Sequence, residues 1–267
     1  MFSWFRGGRD IKLICFDIDN TLCDFASAER ETEAYMAELI SKEIKKLQSK
    51  TRKHSLVKNS CSTFTILKFF NEAKSRHLYR SVAPVAYSRM LWFKETIEKL
   101  DESMSLGITI NGLIENAGFY EKKYWEYVDL KLKNYPNTIS TLDSLKSKGF
   151  KLATITDSDG KAGIKDHRLK MLGLDKYFDY IITGDDIGVN KPAIENWDKL
   201  SELSGLKGRQ CIMVGDHPEV DLITAKKLGF ITVWTKQNLN TDLHQKYVDY
   251  EIHDIKEVLD ILKKFNG

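Results

Sequence analysis

The chain has 267 residues, of which 42% are apolar and 30% charged, enough to bury a full core, so disordered, collagen-like and mini-protein classes are excluded. Lys and Arg number 41 against 38 Asp and Glu, a net charge of +3 that is too mild to point to nucleic acid by itself. No apolar run approaches the roughly 18 residues of a membrane helix, and the first ten residues carry Arg6 and Arg9 without an apolar h-region, so neither a span nor a signal peptide is expected.

The first element is 12–16 (KLICF), a short apolar run stopped by Asp17, which reads as a buried parallel strand. A long, mostly helical stretch follows. Ser27 is expected to cap its first helix, with Glu29, Glu31 and Glu33 in the early turns and Met36, Leu39, Ile40, Ile44 and Leu47 as the apolar stripe. Segments 64–78, 87–100 and 118–132 are also helix-like, and 59–63 and 101–107 read as breaks. From Pro136 the chain alternates. A helix over 138–148 precedes the strand 151–155 (KLATI), and strands 180–182, 210–214 and 230–233 follow. Helices over 192–204 and 221–228 lie between them, the first opened by Pro192 and the second closed by Gly229. This alternation predicts an α/β fold, a Rossmann-like parallel sheet with helices on both faces, formed by 1–24 and 136–267, with 25–135 inserted as a helical domain. Cys15, Cys23, Cys61 and Cys211 form no C-x-x-C pair, so reduced thiols and a cytoplasmic setting are expected rather than zinc or a disulfide framework.

In open α/β sheets, ligands bind beyond the carboxyl ends of the strands. The expected strand ends carry Asp17 and Asp19, then Thr156, then Asp216 with Asp221, and Lys191 lies on the loop after the third strand. Carboxylates gathered this closely repel one another and ask for a hard cation such as Mg²⁺.

Phe16 to Leu22 reads F-D-I-D-N-T-L, Thr156 follows a strand, Lys191 is followed by Pro192, and Gly215-Asp216 precedes Asp221 by four intervening residues. In this order the four motifs resemble the haloacid dehalogenase superfamily, specifically its phosphatases with a helical cap inserted after the first motif. The resemblance implies that Asp17 is the nucleophile that forms an aspartyl-phosphate. It makes Asp19 the general acid and then the base. Thr156, Asp157 and Lys191 would hold the phosphoryl group. Mg²⁺ would sit on Asp17, the Asp19 main-chain carbonyl and Asp216, with Asp221 behind them. The implied substrate is a small soluble phosphate monoester enclosed by the cap, with no nucleic-acid or membrane partner. The same superfamily hosts 2-haloacid dehalogenases and phosphomutases, and a binding module without turnover is a reading of another class. Asp19 argues against the dehalogenase, whose chemistry lacks an acid at that position.

Two departures from the pattern matter. Asp157 stands where many relatives carry Asn, adding negative charge near a phosphate site unless it faces away, and His217 follows Asp216 where small residues are common. Lys42, Lys45, Lys46, Lys50 and Lys53 form a stripe that reads as a solvated helix face in preference to a field for anionic substrates. Arg80, Tyr87, Arg89 and Trp92 are candidate substrate contacts in the inserted domain, and Cys23 lies near the expected mouth of the site.

Overall fold

A computed structural model describes residues 9–51, 61–80, 85–104, 110–237 and 246–265. Its sheet comprises β1 (Leu13–Phe16), β2 (Lys151–Thr156), β3 (Tyr180–Thr183), β4 (Cys211–Gly215), β5 (Ile231–Thr235) and β6 (Tyr250–Ile252). All neighbours are parallel, in the order β3-β2-β1-β4-β5-β6. The chain runs outward from β1 through β2 to β3, then crosses to the other side of β1 for β4. The switch point therefore falls between β1 and β4, where crevices open in doubly wound sheets.

The chain divides into two compact units, one of 1–24, 133–158 and 162–267, the other of 25–132 and 159–161. The second unit is built on α1 (Phe25–Thr51), α2 (Thr63–Arg80), α3 (Arg89–Met104), α4 (Ile110–Glu115) and α5 (Ala117–Lys131). α1 begins two residues before Ser27 rather than after it, because Phe25 is itself buried at the first turn. The Ser27 hydroxyl instead accepts from Arg30 Nη2 at 2.9 Å. Ser62 does cap α2, its Oγ taking the Thr65 N–H at 3.1 Å. α3 runs on to Met104, so the first part of the expected break is helical, while 59–60 and 105–107 lie outside the described residues, as does Lys53. The core of this unit is aromatic: Phe70 packs on Phe93 at 5.0 Å and on Trp92 at 6.0 Å, and Phe93 meets Tyr124 edge-on at 6.0 Å.

The sheet unit carries α6 (Thr138–Ser147), α7 (Ile164–Met171), α8 (Gly184–Ile187), α9 (Glu195–Ser204), α10 (Ile223–Lys227) and α11 (Val258–Lys263). Every residue of β1 and β4 is buried, which explains why both read as unbroken apolar runs rather than alternating ones. Leu13 and Cys15 share a buried cluster with Met213, Trp197 and Leu222. α9 starts at Glu195, three residues after Pro192, whose peptide bond to Lys191 is cis and which stands in the turn before the helix. Asp221 likewise precedes its helix, lying in a π-turn over Pro218–Leu222. β6 and α11 lie beyond the alternation expected from sequence. β6 is three residues with a glutamate at its centre, too short for a periodic signal. All four cysteines are free and buried, and among the described residues no helix is long and apolar enough to cross a membrane.

Candidate active site

β1 ends at Phe16, level with Thr154 of β2 and Val214 of β4. Asp17 stays in the ladder by one more bond, donating its N–H to the Val214 carbonyl at 2.9 Å. The chain then leaves the sheet in a tight turn. The Leu22 N–H reaches back to the Ile18 carbonyl at 2.8 Å, and Asn20 takes a left-handed φ of 61°, which Asn tolerates better than most residues. Strand pairing thus fixes the Asp17 carboxylate at the switch point, while Asp19 is set by the turn.

Lys191 is the hub of the site. Its buried ammonium donates to Asp17 Oδ1 at 2.5 Å and to Asp221 Oδ1 at 2.8 Å. The backbone N–H of the same residue donates to Asp157 Oδ1 at 2.9 Å. Burial works to lower the Lys191 pKa, but Asp17, Asp221 and Asp157 outweigh it and hold the amine well above its ordinary value. Asp157 is thereby explained. One oxygen of its carboxylate braces the loop that presents Lys191. Thr156 ends β2, buried, in register with Thr183 and two residues past the level of Phe16.

The acids meet as expected from their strand ends, with one change of partner. Carboxylate oxygens of Asp17, Asp216 and Asp221 all lie within 4.8 Å of one another. Asp221 therefore belongs to the cluster itself. Its second oxygen accepts the His217 N–H at 2.9 Å, and the His217 side chain is exposed. Gly215 makes this possible: a Cβ there would stand 2.6 Å from Asp221 Cγ. Trp234, at the end of β5, donates its indole N–H to the Asp216 carbonyl at 2.8 Å and so pins the loop that carries the third acid. Burial raises the Asp17 carboxyl to about 7, against Lys191 and reinforced by Asp221 and Asp19. Asp216 is raised well above the carboxylate range by desolvation, then by Asp221 and Asp17. Three mutually repelling carboxylates made of hard oxygen donors suit a hard cation.

Asp19 is held apart from that trio. Its carboxylate is gripped by Arg168 Nη1, at 2.7 Å from Oδ1 and 2.5 Å from Oδ2, and by the ammonium of Lys165. Both cations are buried on α7, one turn apart. The neighbours of Asp19 are thus cations as well as acids. Sequence reasoning did not single out Lys165 or Arg168, because 164–171 (IKDHRLKM) reads as an ordinary charged helix face. The one available signal is their i, i+3 spacing on a helix that follows the second motif. Cys23 lies beside this group, its Sγ 3.8 Å from Asp19 Oδ1, buried and with its thiol pushed well above the ordinary value. It is therefore a packed thiol with no thiolate character.

Within the helical unit, Arg89 and Trp92 prove to be buried interior groups. The Arg89 guanidinium donates to Glu29 Oε1 at 3.2 Å and to the Tyr87 carbonyl at 2.9 Å, and it lies 4.5 Å from the Trp92 ring. Glu29 also receives the Tyr124 hydroxyl at 2.9 Å and the Lys74 ammonium at 2.9 Å. The Lys42, Lys45 and Lys46 side chains are exposed, with Lys42 and Lys46 near Glu38 and Glu43, as befits a solvated face.

A family model described as haloacid dehalogenase-like hydrolase matches residues 11–229. A glyceraldehyde 3-phosphate phosphatase of Methanocaldococcus jannaschii is 38% identical over 133 residues, 49% of this chain and 58% of that protein. The protein of the same name from Pyrococcus furiosus is 27% identical over 263 residues, 97% of this chain and 96% of that one. Among solved structures, a HAD phosphatase from Thermococcus onnurineus shares the fold with a TM-score of 0.65 and 24% identity, covering 96% of this chain and 100% of that one.

Proposed function

The chain belongs to the haloacid dehalogenase-like hydrolase family, and from that premise we propose that it hydrolyses a small phosphate monoester through a phosphoryl group carried on Asp17. The observation that carries this reading is the Asp17 carboxylate bonded to the Lys191 ammonium at 2.5 Å, at the switch point of the sheet and beside Asp216 and Asp221. A nucleophile for phosphorus needs a fixed carboxylate oxygen next to positive charge that meets the incoming phosphoryl group. The second acid, Asp19, fits phosphate chemistry rather than dehalogenation.

The residues present fit Mg²⁺, since three clustered carboxylates face a single ammonium among these four groups and all the donors are oxygen. Asp17, Asp216 and the Asp19 main-chain carbonyl would hold the ion, with Asp221 beside them. Bound there, it would supply Lewis-acid neutralisation of phosphoryl charge. The remaining work falls to side chains. An Asp17 oxygen attacks phosphorus while the bond to the leaving oxygen breaks, and Asp19 gives that oxygen its proton. Water then attacks phosphorus, passes a proton to Asp19, and the Asp17–phosphorus link breaks to release inorganic phosphate. Lys191 neutralises charge throughout, and Thr156 with neighbouring N–H groups cradles the phosphoryl oxygens. Substrate choice is assigned to the inserted residues 25–135, which carry none of the four motifs. The names of the relatives put glyceraldehyde 3-phosphate first among substrates to try.

The test is a panel of phosphorylated metabolites incubated with purified protein, with Mg²⁺ and then with EDTA. Hydrolysis that EDTA abolishes and Mg²⁺ restores, with Ca²⁺ a poor substitute, is the expected result. Full activity in EDTA would refute the metal assignment. Intact mass completes the test. Asp17→Asn should never gain a phosphoryl group, whereas Asp19→Asn given acetyl phosphate should carry one on Asp17 that decays slowly, because general acid–base help is worth about 10²–10⁴ in rate.

A further inference from the structure

Lys165 and Arg168 are unusual cations. Both are almost wholly inaccessible, both come from one turn of α7, and both meet a carboxylate that is itself only partly buried. Burying an ammonium and a guanidinium is expensive unless they are well paired. The geometry is also specific. A single guanidinium nitrogen of Arg168 bridges both carboxylate oxygens, at 2.7 and 2.5 Å, while Lys165 meets Oδ2. Asp19 itself sits on the turn after β1, joined to Cys23 by a single β-bridge and touched at Oδ1 by the Cys23 thiol. The ionic contacts to both of its oxygens come from α7.

We propose that Lys165 and Arg168 are positioning residues that fix the orientation of the Asp19 carboxylate for proton transfer to the leaving oxygen. This inference rests on the assignment of Asp19 as the acid. Proton transfer demands a carboxylate within hydrogen-bond reach and in line with the leaving oxygen, and small misplacements cost large factors in rate. Helix α7 is the support from which two charged side chains hold both oxygens.

The test exploits leaving groups. kcat/KM reports events up to transfer of the phosphoryl group to Asp17, and p-nitrophenolate leaves with little need of a proton, whereas an alkoxide needs one. Lys165→Met and Arg168→Met should therefore lower kcat/KM for an alkyl phosphate by about 10–100-fold, within the range of general acid help, and for p-nitrophenyl phosphate by several-fold less. Circular dichroism and the retained rate on p-nitrophenyl phosphate report folding in the same samples, and Arg168→Lys should recover part of the loss. The decisive measurement is the double variant. In an Asp19→Asn background, adding Lys165→Met should cost nothing further on the alkyl ester, because both changes remove one function. Equal losses on both substrates, or losses that multiply in the double variant, would overturn the proposal by showing that the cations act on the phosphoryl group or the fold directly. If Asp19→Asn alone showed no leaving-group dependence, the assignment of Asp19 would fall instead, so the two failures are distinguishable.

Discussion

Replacing Lys191 by Met keeps an unbranched side chain, one atom shorter, and removes the charge together with its hydrogen-bond donors. In the native chain that charge is shared by Asp17 at 2.5 Å and Asp221 at 2.8 Å, and all three side chains are buried. Removing one partner of a buried ion pair typically costs about 3–5 kcal/mol, because the other charge is left uncompensated. Here the loss is softened by protonation. Asp17 already holds its proton up to about 7 with the lysine present, and without it will hold the proton higher still. Metal-free Lys191→Met should therefore lose less stability at pH 5 than at pH 8, when urea midpoints are compared with those of the parent. Catalysis has no such refuge, because a protonated Asp17 is no nucleophile and the phosphoryl charge has lost its counter-charge. A preorganised group of this kind is worth about 10²–10³ in rate, and kcat on p-nitrophenyl phosphate should fall by at least that much. Lys191→Arg should not restore it, since a planar fork cannot meet two carboxylates and a phosphoryl group from the volume of one ammonium. A folded Lys191→Met with a kcat within threefold of the parent would refute the reasoning, whatever its stability.

Gly215→Ala should cost about 1–3 kcal/mol in thermal or urea unfolding and lower activity as well, because the added methyl displaces the Asp221 carboxylate. Asp157→Asn keeps an oxygen for the Lys191 N–H and should be nearly as active as the parent, whereas Asp157→Leu removes the brace and should reduce kcat tenfold or more; equal behaviour of the two would refute the bracing role. The raised Asp17 carboxyl has a signed consequence. In EDTA the group contributes stability that is fully present below its unfolded value near 4 and is lost as pH rises through about 7, so urea midpoints should fall over that window and fall less steeply in Asp17→Asn.

The strand ends were legible because a buried parallel strand is an apolar run, and an acid that stops such a run abruptly marks the place where backbone leaves the sheet. That reasoning located Asp17, Thr156 and Asp216, and the order of motifs added Lys191. Strand order was not legible. Nothing in 12–16 or 210–214 says that these two lie side by side, yet that adjacency brings Asp216 to Asp17. Helix starts failed where burial overrode capping chemistry, as at Phe25, and where a π-turn delayed α10 past Asp221. Lys165 and Arg168 escaped notice for a physical reason. A charged residue on a short helix reads as solvated, and only the tertiary structure shows that its charge is turned inward. Arg89, a candidate substrate contact by sequence, has a guanidinium buried among rings, which its sequence neighbours did not reveal.

Asp24 and Lys133, the residues that precede and follow the main inserted segment, are joined by a hydrogen bond of 3.0 Å, and Cys23 forms a β-bridge with Asn134. Seen from the sheet, the excursion of more than a hundred residues between them is a tight hairpin. Because its ends already touch, lengthening or replacing the excursion leaves the sheet's own contacts intact, and the entropy of closing a loop grows only logarithmically, by about 0.6 kcal/mol for each doubling. The turn that carries Asp17 and its neighbours can therefore stay fixed while the inserted sequence diverges behind a doorway two residues wide.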